Sequence, residues 1–490
     1  MKGINMLRLR PHLLLLMWLP FAAGCGDMFD LDINTDPDAA TEITPDLLMP
    51  TALANFAAVR SIEMSPGNAF HAQIWSSNGS TSVFNDPERY IISSFTTGNT
   101  WSIIFNDGIK NLTLMRDQAL GQDPAAVNVA AQAEILISYM YWTLTALWER
   151  VPFTQALQGD EFPQPEFDDQ ETILRGLLVR LDGAIAMIDQ GAPGVEAGDL
   201  VYGGDMALWE RFANSLKLRI LMMIRNEDPS VDSQIQALLS QPLIRENSQE
   251  AAIPFFDIPD NEHNLWKLND MYGGFIDVRN GNGYIYAGQA LVDLMKDLDD
   301  PRLSTYWELA VDPDDPENYQ TSEYFGQAPG VFQYGDETSM VSQNIIREDW
   351  PNRMITAAEV WFYEAEFLAS TSGPGAAQNA YETGVRLAID WFDGEAGAIS
   401  EADEQAYVAS LPPATVEAIQ GQQYIEVLDR APENWTHWRR THYPDLQVAS
   451  QAVLGGIIRR YPFPPDELSS NTNAPGQIPL DQPMWFEPGN

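Results

Sequence analysis

The sequence predicts a mainly α-helical fold, in which helical hairpins stack into a superhelical scaffold interrupted by one loop-rich insertion. Three observations carry this. Apolar residues recur at helical spacing along most of the chain, and small residues alternate with large aromatics where two such helices follow one another. One mid-chain block instead concentrates Gly, Pro, Asp and Asn.

The first helix is expected at about 46–63, because Thr44 offers a capping hydroxyl and Pro45 a preset φ for the first turn. Asp123 and Pro124 open an Ala-rich helix that runs to about Trp148. Asp168 and Glu171 place acid in another first turn. Behind them Ile173, Leu174, Leu177, Leu178, Leu181, Ile185 and Ile188 form one stripe, with Arg175, Arg180 and Asp182 off it. Met206 to Arg225 repeats the pattern through Trp209, Phe212, Leu216, Ile220 and Met223.

Thr356 to Ala369 and Ala376 to Phe392 form a pair broken at Ser372-Gly373-Pro374-Gly375. Ala357, Ala358, Ala365, Ala376, Ala380, Gly384 and Ala388 allow close approach, and Trp361, Phe362, Phe367 and Tyr381 fill the gaps. This resembles a degenerate tetratricopeptide hairpin, as does 130–187, although no strict period of about 34 residues is present. Pro413 to Leu428 adds another helix. The helical scaffold thus covers about 45–254 and 352–445. Residues 255–351 are the loop-rich insertion, with one helix at Gly288 to Leu298, and such loops tend to carry function. A Pro-rich segment, 446–490, closes the single domain, and its stretch from Ile458 is expected to lie over the surface as extended chain.

Residues 1–24 read as a lipoprotein signal peptide. Lys2, Arg8 and Arg10 precede the apolar run Leu13 to Phe21, which is too short for a bilayer core of roughly 30 Å. Ala22, Ala23 and Gly24 then lead into Cys25, like a bacterial lipobox, so Cys25 is the expected lipidation site. Residues 25–44 are an acidic tether. Asp30, Asp32, Asn34 and Asp36 alternate like calcium-loop ligands, but the turn Gly and closing Glu of an EF-hand are missing.

The chain has 490 residues, 70 acidic against 27 basic, for a net charge of −43. Lys2, Lys110, Lys217, Lys267 and Lys296 are its lysines. Such a surface repels phosphate backbones and argues against nucleic-acid binding. With 45% hydrophobic residues the chain still carries an ordinary supply of core-forming side chains. A single cysteine rules out an intramolecular disulfide and any Cys-rich metal site.

Catalytic signatures are missing. The five histidines form no His-Glu-x-x-His pair, and no Gly-x-Ser-x-Gly elbow, phosphate loop or dinucleotide fingerprint is present. A carboxylate-pair glycosidase is the residual enzymatic alternative, since acids are plentiful. What remains is recognition by aromatic rings beside amides and acids, as sugars require. Two segments offer it outside strong helical periodicity: 71–90, with Trp75 and Asn78, and 266–286, with Trp266, Tyr272 and Tyr286. Tyr324 follows in the same block.

The lipobox followed by Leu31-Asp32-Ile33-Asn34-Thr35-Asp36-Pro37 resembles the start of a SusD/RagB-type outer-membrane lipoprotein. Later stretches agree: Leu147-Trp148-Glu149-Arg150-Val151-Pro152-Phe153, Phe212 to Arg219, Asp300-Pro301-Arg302-Leu303, Trp438 to Pro444, and Arg459 to Pro464. Glu149 and His442 stand where the SusD-like branch usually has Gly, and read as tolerated changes near the surface. The resemblance implies tetratricopeptide-like hairpins with an irregular part that carries the ligand site. It implies a SusC-like TonB-dependent outer-membrane transporter as partner, with an oligosaccharide, or in some members a peptide, captured between lid and barrel. No bond is cleaved, and no cofactor is implied. The candidate ligand residues are Trp75, Asn78, Trp266, Tyr272, Tyr286 and Tyr324. Calcium at Asp312, Asp314 and Asp315 has no support beyond spacing. The competing function is a tethered helical-repeat adaptor for protein partners.

Two further features have two readings each. Arg439, Arg440, Arg459 and Arg460 are either an anion clamp or, as we favour, structural partners of helix carboxylates such as Glu359, Glu364 or Glu366. The dispersed acidity fits either a cationic ligand or, better, work in concentrated salt, where screening falls to about 3 Å at 1 M. The saline reading predicts that the unfolding midpoint rises between low and molar KCl; an unchanged or falling midpoint contradicts it.

Overall fold

The computed structural model describes residues 43–77, 82–271, 285–309, 323–332, 338–395 and 397–489. Cys25, the tether and the Asp312 cluster lie outside them. The helix opened by Pro45, α1 (Pro45–Val59), continues through a π-helical turn (Arg60–Met64) into α2 (Ser65–His71). After α3 (Ser82–Glu88) come α4 (Ser94–Ser102), a second π-helical stretch (Ile103–Ile109) and α5 (Lys110–Leu120). This run escaped the sequence reading because Thr96, Thr97, Gly98, Asn99 and Thr100 are poor helix formers. Burial overrides that propensity: Thr97, Thr100, Trp101, Ile104, Ile109 and Leu112 all lie in the core.

α6 (Val127–Trp148) starts later than Pro124 suggests and is buried along nearly its whole length. Asp169 caps α7 (Gln170–Met187), accepting from the Thr172 N–H at 2.8 Å, and Asp205 caps α8 (Met206–Ile224). The insertion is less irregular than expected. It contains α9 (Asn264–Met271) besides the helix Gln289–Asp297. α10 (Ala357–Ser372) and α11 (Pro374–Asp390) form the hairpin, joined through Gly373 at φ 88°. A Cβ on Gly384 would stand 2.7 Å from the Phe362 ring, which explains the small residue there. Ala377, not Ala376, faces the partner helix: Ala376 is exposed and Ala377 is buried. α12 (Val416–Glu426) and α13 (Glu433–Thr441) follow. In the scaffold α6 packs on α5 and α7, α7 on α8, and α10 on α11 and α12. Among the described residues the strands form two two-stranded sheets. One pairs β1 (Trp75–Ser77) with β3 (Ile285–Ala287), the other β2 (Ala251–Ile253) with β4 (Asn352–Ile355).

The C-terminal segment is not merely draped over the surface. Ile458, Tyr461, Phe463, Met484 and Phe486 enter the core, and Pro465–Ser470 is a helical turn. Its apolar residues are spaced too irregularly to signal burial by period.

Ion pairs far apart in sequence hold these helices together. Arg219 of α8 grips Glu359 of α10 with both ends of its fork, at 2.7 and 2.8 Å, and reaches Glu433 of α13 at 3.1 Å. Arg60 donates to Glu433 at 3.2 Å, to Asn352 at 2.7 Å and to the Tyr139 hydroxyl at 2.8 Å. Arg430 bonds Glu359 at 2.6 Å and pairs with Glu426. Three guanidiniums thus meet three carboxylates, all buried. Burial alone would push the Glu359 carboxyl up, but Arg219 and Arg430 outweigh it and bring it down to about 2. Glu433 is lowered likewise by Arg60 and Arg219.

Of the double arginines, Arg440 takes the expected partner, Glu366, at 2.7 Å through both nitrogens. Glu364 pairs instead with Arg245 at 2.6 Å. Arg459 pairs with Glu487 and Arg460 with Glu149. Among the described residues Arg439 meets no carboxylate at hydrogen-bond distance. It bonds the Ala146 and Arg459 carbonyls at 2.7 Å each and lies 3.9 Å over the Trp435 ring.

Glu433→Gln should cost about 3–5 kcal/mol in urea unfolding, because it leaves two buried guanidiniums undercompensated. Loss within about 0.5 kcal/mol contradicts this role. Glu359 adds a pH dependence: its stabilisation is full above its ordinary 4.5 and is lost as pH falls towards about 2.

Candidate ligand-binding face

Two sequence segments about 200 residues apart meet in the β1–β3 ladder. Trp75 pairs with Ala287, Ser76 with Tyr286 and Ser77 with Ile285. The stretches 78–81 and 272–284 adjoin these strands in sequence. Asn78 and Tyr272 belong to those two stretches and lie outside the described residues.

The ladder is seated on tightly fitted backbone. Gly288, next after β3, donates its N–H to the Ile74 carbonyl at 2.9 Å, and a Cβ there would stand 2.1 Å from the Gln73 carbonyl oxygen. Gln327 extends the pairing: its N–H donates to Ala287 at 2.8 Å and its side-chain amide to the Ser77 carbonyl at 2.6 Å. Beneath lies Glu88 at the end of α3. Its carboxylate accepts from the Ser76 hydroxyl at 2.7 Å, the Ser77 N–H at 2.8 Å and the Gly330 N–H at 3.0 Å. One buried acid thereby ties α3, β1 and the loop at 327–332 together. Burial pushes its carboxyl up to about 7, against the pull of those hydrogen bonds.

The candidate aromatics divide in two. Trp75 and Tyr286 are only 2% and 6% exposed, so they form the floor of this face and offer no open stacking surface. Their positions on a strand buried on both sides, pattern BBB, explain that. Trp266 and Tyr324 are half-buried and keep part of their surface available to solvent. Trp266 sits on α9, next to Leu265, which lines a small cavity together with Trp75, His263 and Trp350. Tyr324 is held at its carbonyl by the Lys296 ammonium at 3.2 Å, and Lys296 also lies 5.0 Å over the Phe325 ring. Phe325, 38% exposed, is a flanking aromatic that the sequence reading missed, because nothing in a loop separates an exposed Phe from a buried one.

Sequence comparison decides what kind of protein this is. A sequence model of a SusD-like family, described as "Starch-binding associating with outer membrane", matches residues 37–464. The chain belongs to the SusD-like family. Solved structures agree in fold. A chitin-binding protein superposes with a TM-score of 0.75 at 23% identity, covering 88% of this chain and 95% of its own. A protein titled Bacteroidetes AC2a SusD-like gives 0.75 at 20%, covering 91% and 100%. A SusD homologue from Bacteroides fragilis gives 0.71 at 20%, covering 91% and 99%. No curated protein matches the sequence significantly. Among the described residues of this SusD-like chain, no helix is long and apolar enough to cross a membrane, and no group of three or more His, Cys, Asp or Glu gathers as metal ligands.

Glu149 and His442, expected from the resemblance to replace Gly, carry positive φ, 67° and 52°. They are not idle surface changes. Glu149 pairs with Arg460 and accepts the Trp485 N–H at 2.9 Å, and His442 lies 3.3 Å from Glu487. Both fasten the C-terminal segment.

Protonation of Glu88 favours the folded state, so its contribution is full below its ordinary 4.5 and is lost as pH rises through about 7. Buried Glu250, also pushed up to about 7, acts in the same sense. Glu88→Gln should therefore flatten part of the fall in unfolding midpoint between about pH 5 and 8. An unchanged profile contradicts the assignment.

Proposed function

We propose that this protein is a non-catalytic, lipid-anchored surface receptor that captures an oligosaccharide and passes it to a SusC-like TonB-dependent transporter. The observation that carries the reading is the β1–β3 ladder. It pairs Trp75–Ser77 with Ile285–Ala287, so the described parts of the two aromatic segments meet, and Trp266, Tyr324 and Phe325 keep part of their surface exposed. Flat rings beside amide and hydroxyl groups suit the apolar faces and polar edges of sugar rings. The family's starch-binding description points to the same ligand class. Cys25 would carry the anchor, with 25–44 spanning the gap from lipid to globule.

The test is affinity electrophoresis of the mature protein in gels containing starch or chitin, with reducing ends assayed in parallel. Retardation without release of sugar is expected, and Trp266→Ala should weaken it at least tenfold with an unchanged melting temperature. Hydrolysis would overturn the reading in favour of a carboxylate-pair enzyme. Failure to bind any glycan, with stable capture of a protein partner, would favour the adaptor. Labelling with radioactive palmitate should mark the wild-type chain and not Cys25→Ala; equal labelling removes the proposed anchor.

A further inference from the structure

A second cleft, of about 630 Å³, opens where the end of α6 and the start of α7 face the C-terminal segment. It shares no lining residue with the β1–β3 ladder. Glu149, Arg150, Asp169 and Gln170 form one wall; Gln482 and Trp485 belong to the other. The second wall lies beyond residue 464, where the family match ends.

Both walls are held in place from behind. Glu149 is fixed by Arg460 and by the Trp485 N–H. Gln170 donates to the Thr145 carbonyl at 2.9 Å and accepts the Phe486 N–H at 3.3 Å. Arg460 also donates to the Gln482 and Pro483 carbonyls, at 2.9 Å each. The backbone of both walls is thereby fixed, and the exposed side chains that project from it order when a ligand binds.

The chemistry of the lining selects the ligand. Asp169 spends one oxygen on its helix cap. Among the described residues its other oxygen, the Gln482 amide, the exposed Arg150 guanidinium and the indole N–H of half-buried Trp485 have no hydrogen-bond partner. Donors and acceptors are thus mixed beside one aromatic ring. The charges largely cancel: Glu149 is matched by Arg460, and Glu171 by Arg175 at 2.8 Å. A phosphate-type site would gather donors, and a cation site acceptors. A ring with paired polar groups fits a neutral hydroxylated ligand. A volume of this size falls within the range of small-molecule sites, roughly 300–1,000 Å³, and takes a short oligosaccharide.

The geometry points to a second glycan subsite, in which Trp485 stacks a sugar ring and Asp169, Arg150 and Gln482 bond its hydroxyls. This rests on the reading of the protein as a glycan receptor and adds a separate foothold for a long chain. The test is fluorine NMR of the mature protein labelled with 5-fluorotryptophan, titrated with maltohexaose and with chitohexaose. Trp485→Phe and Trp266→Phe assign the two resonances. A saturable shift of the Trp485 resonance is expected with one of these glycans. Gln482→Ala, at an exposed position, should weaken that response at least threefold and leave the Trp266 titration unchanged. A Trp485 resonance that stays still while Trp266 responds overturns the subsite and spares the receptor. If neither resonance moves with either glycan, the subsite falls together with the glycan reading.

Discussion

The structure depends on a neutral knot of buried charge. Arg60, Arg219 and Arg430 meet Glu359, Glu426 and Glu433 where the π-helical turn after α1 converges with α8, α10, α12 and α13. Desolvating six charges is costly, and only complete pairing offsets it. The arrangement tolerates few other ways of stacking these helices, because any shift would strand a guanidinium. In a chain with so few bases, these arginines are placed inside, where they fix geometry.

That rigid scaffold lets irregular segments be presented with accuracy. β1 follows α2 directly, and β3 comes from the insertion more than 200 residues later; their ladder works only if the scaffold sets both ends. Glu88 repeats the same principle on a smaller scale, with one carboxylate collecting three donors from separate segments. The left-handed Glu149 and His442 do so again for the C-terminal segment. In each case a buried or partly buried polar group replaces regular secondary structure as the fastening.

Much of the scaffold was legible in the sequence, because amphipathic helices advertise themselves by period and cap. Ile173, Leu174, Leu177 and Leu181 and the line from Trp209 to Met223 are buried as their spacing requires. The run 94–120 was not legible, since its threonines and glycine argue against a helix and only tertiary burial reverses that. Nor could the ion pairs be assigned: Arg219 and Glu359 are 140 residues apart, and sequence offers many acids to each arginine. At the candidate face, the mixture of aromatics and amides singles out two segments, and the structure pairs their described strands. The division of their rings was not legible. Trp75 and Trp266 look alike in the sequence, and only the structure shows that one is buried and the other half-buried.

The proposed function has glycan held beside the β1–β3 ladder. Hydrogen–deuterium exchange of the mature protein, with and without a bound oligosaccharide, tests it most directly. The account predicts slowed exchange at the amides of 75–84, 266–287 and 323–332 when ligand is bound. Unchanged exchange throughout those three segments at saturating ligand would contradict it.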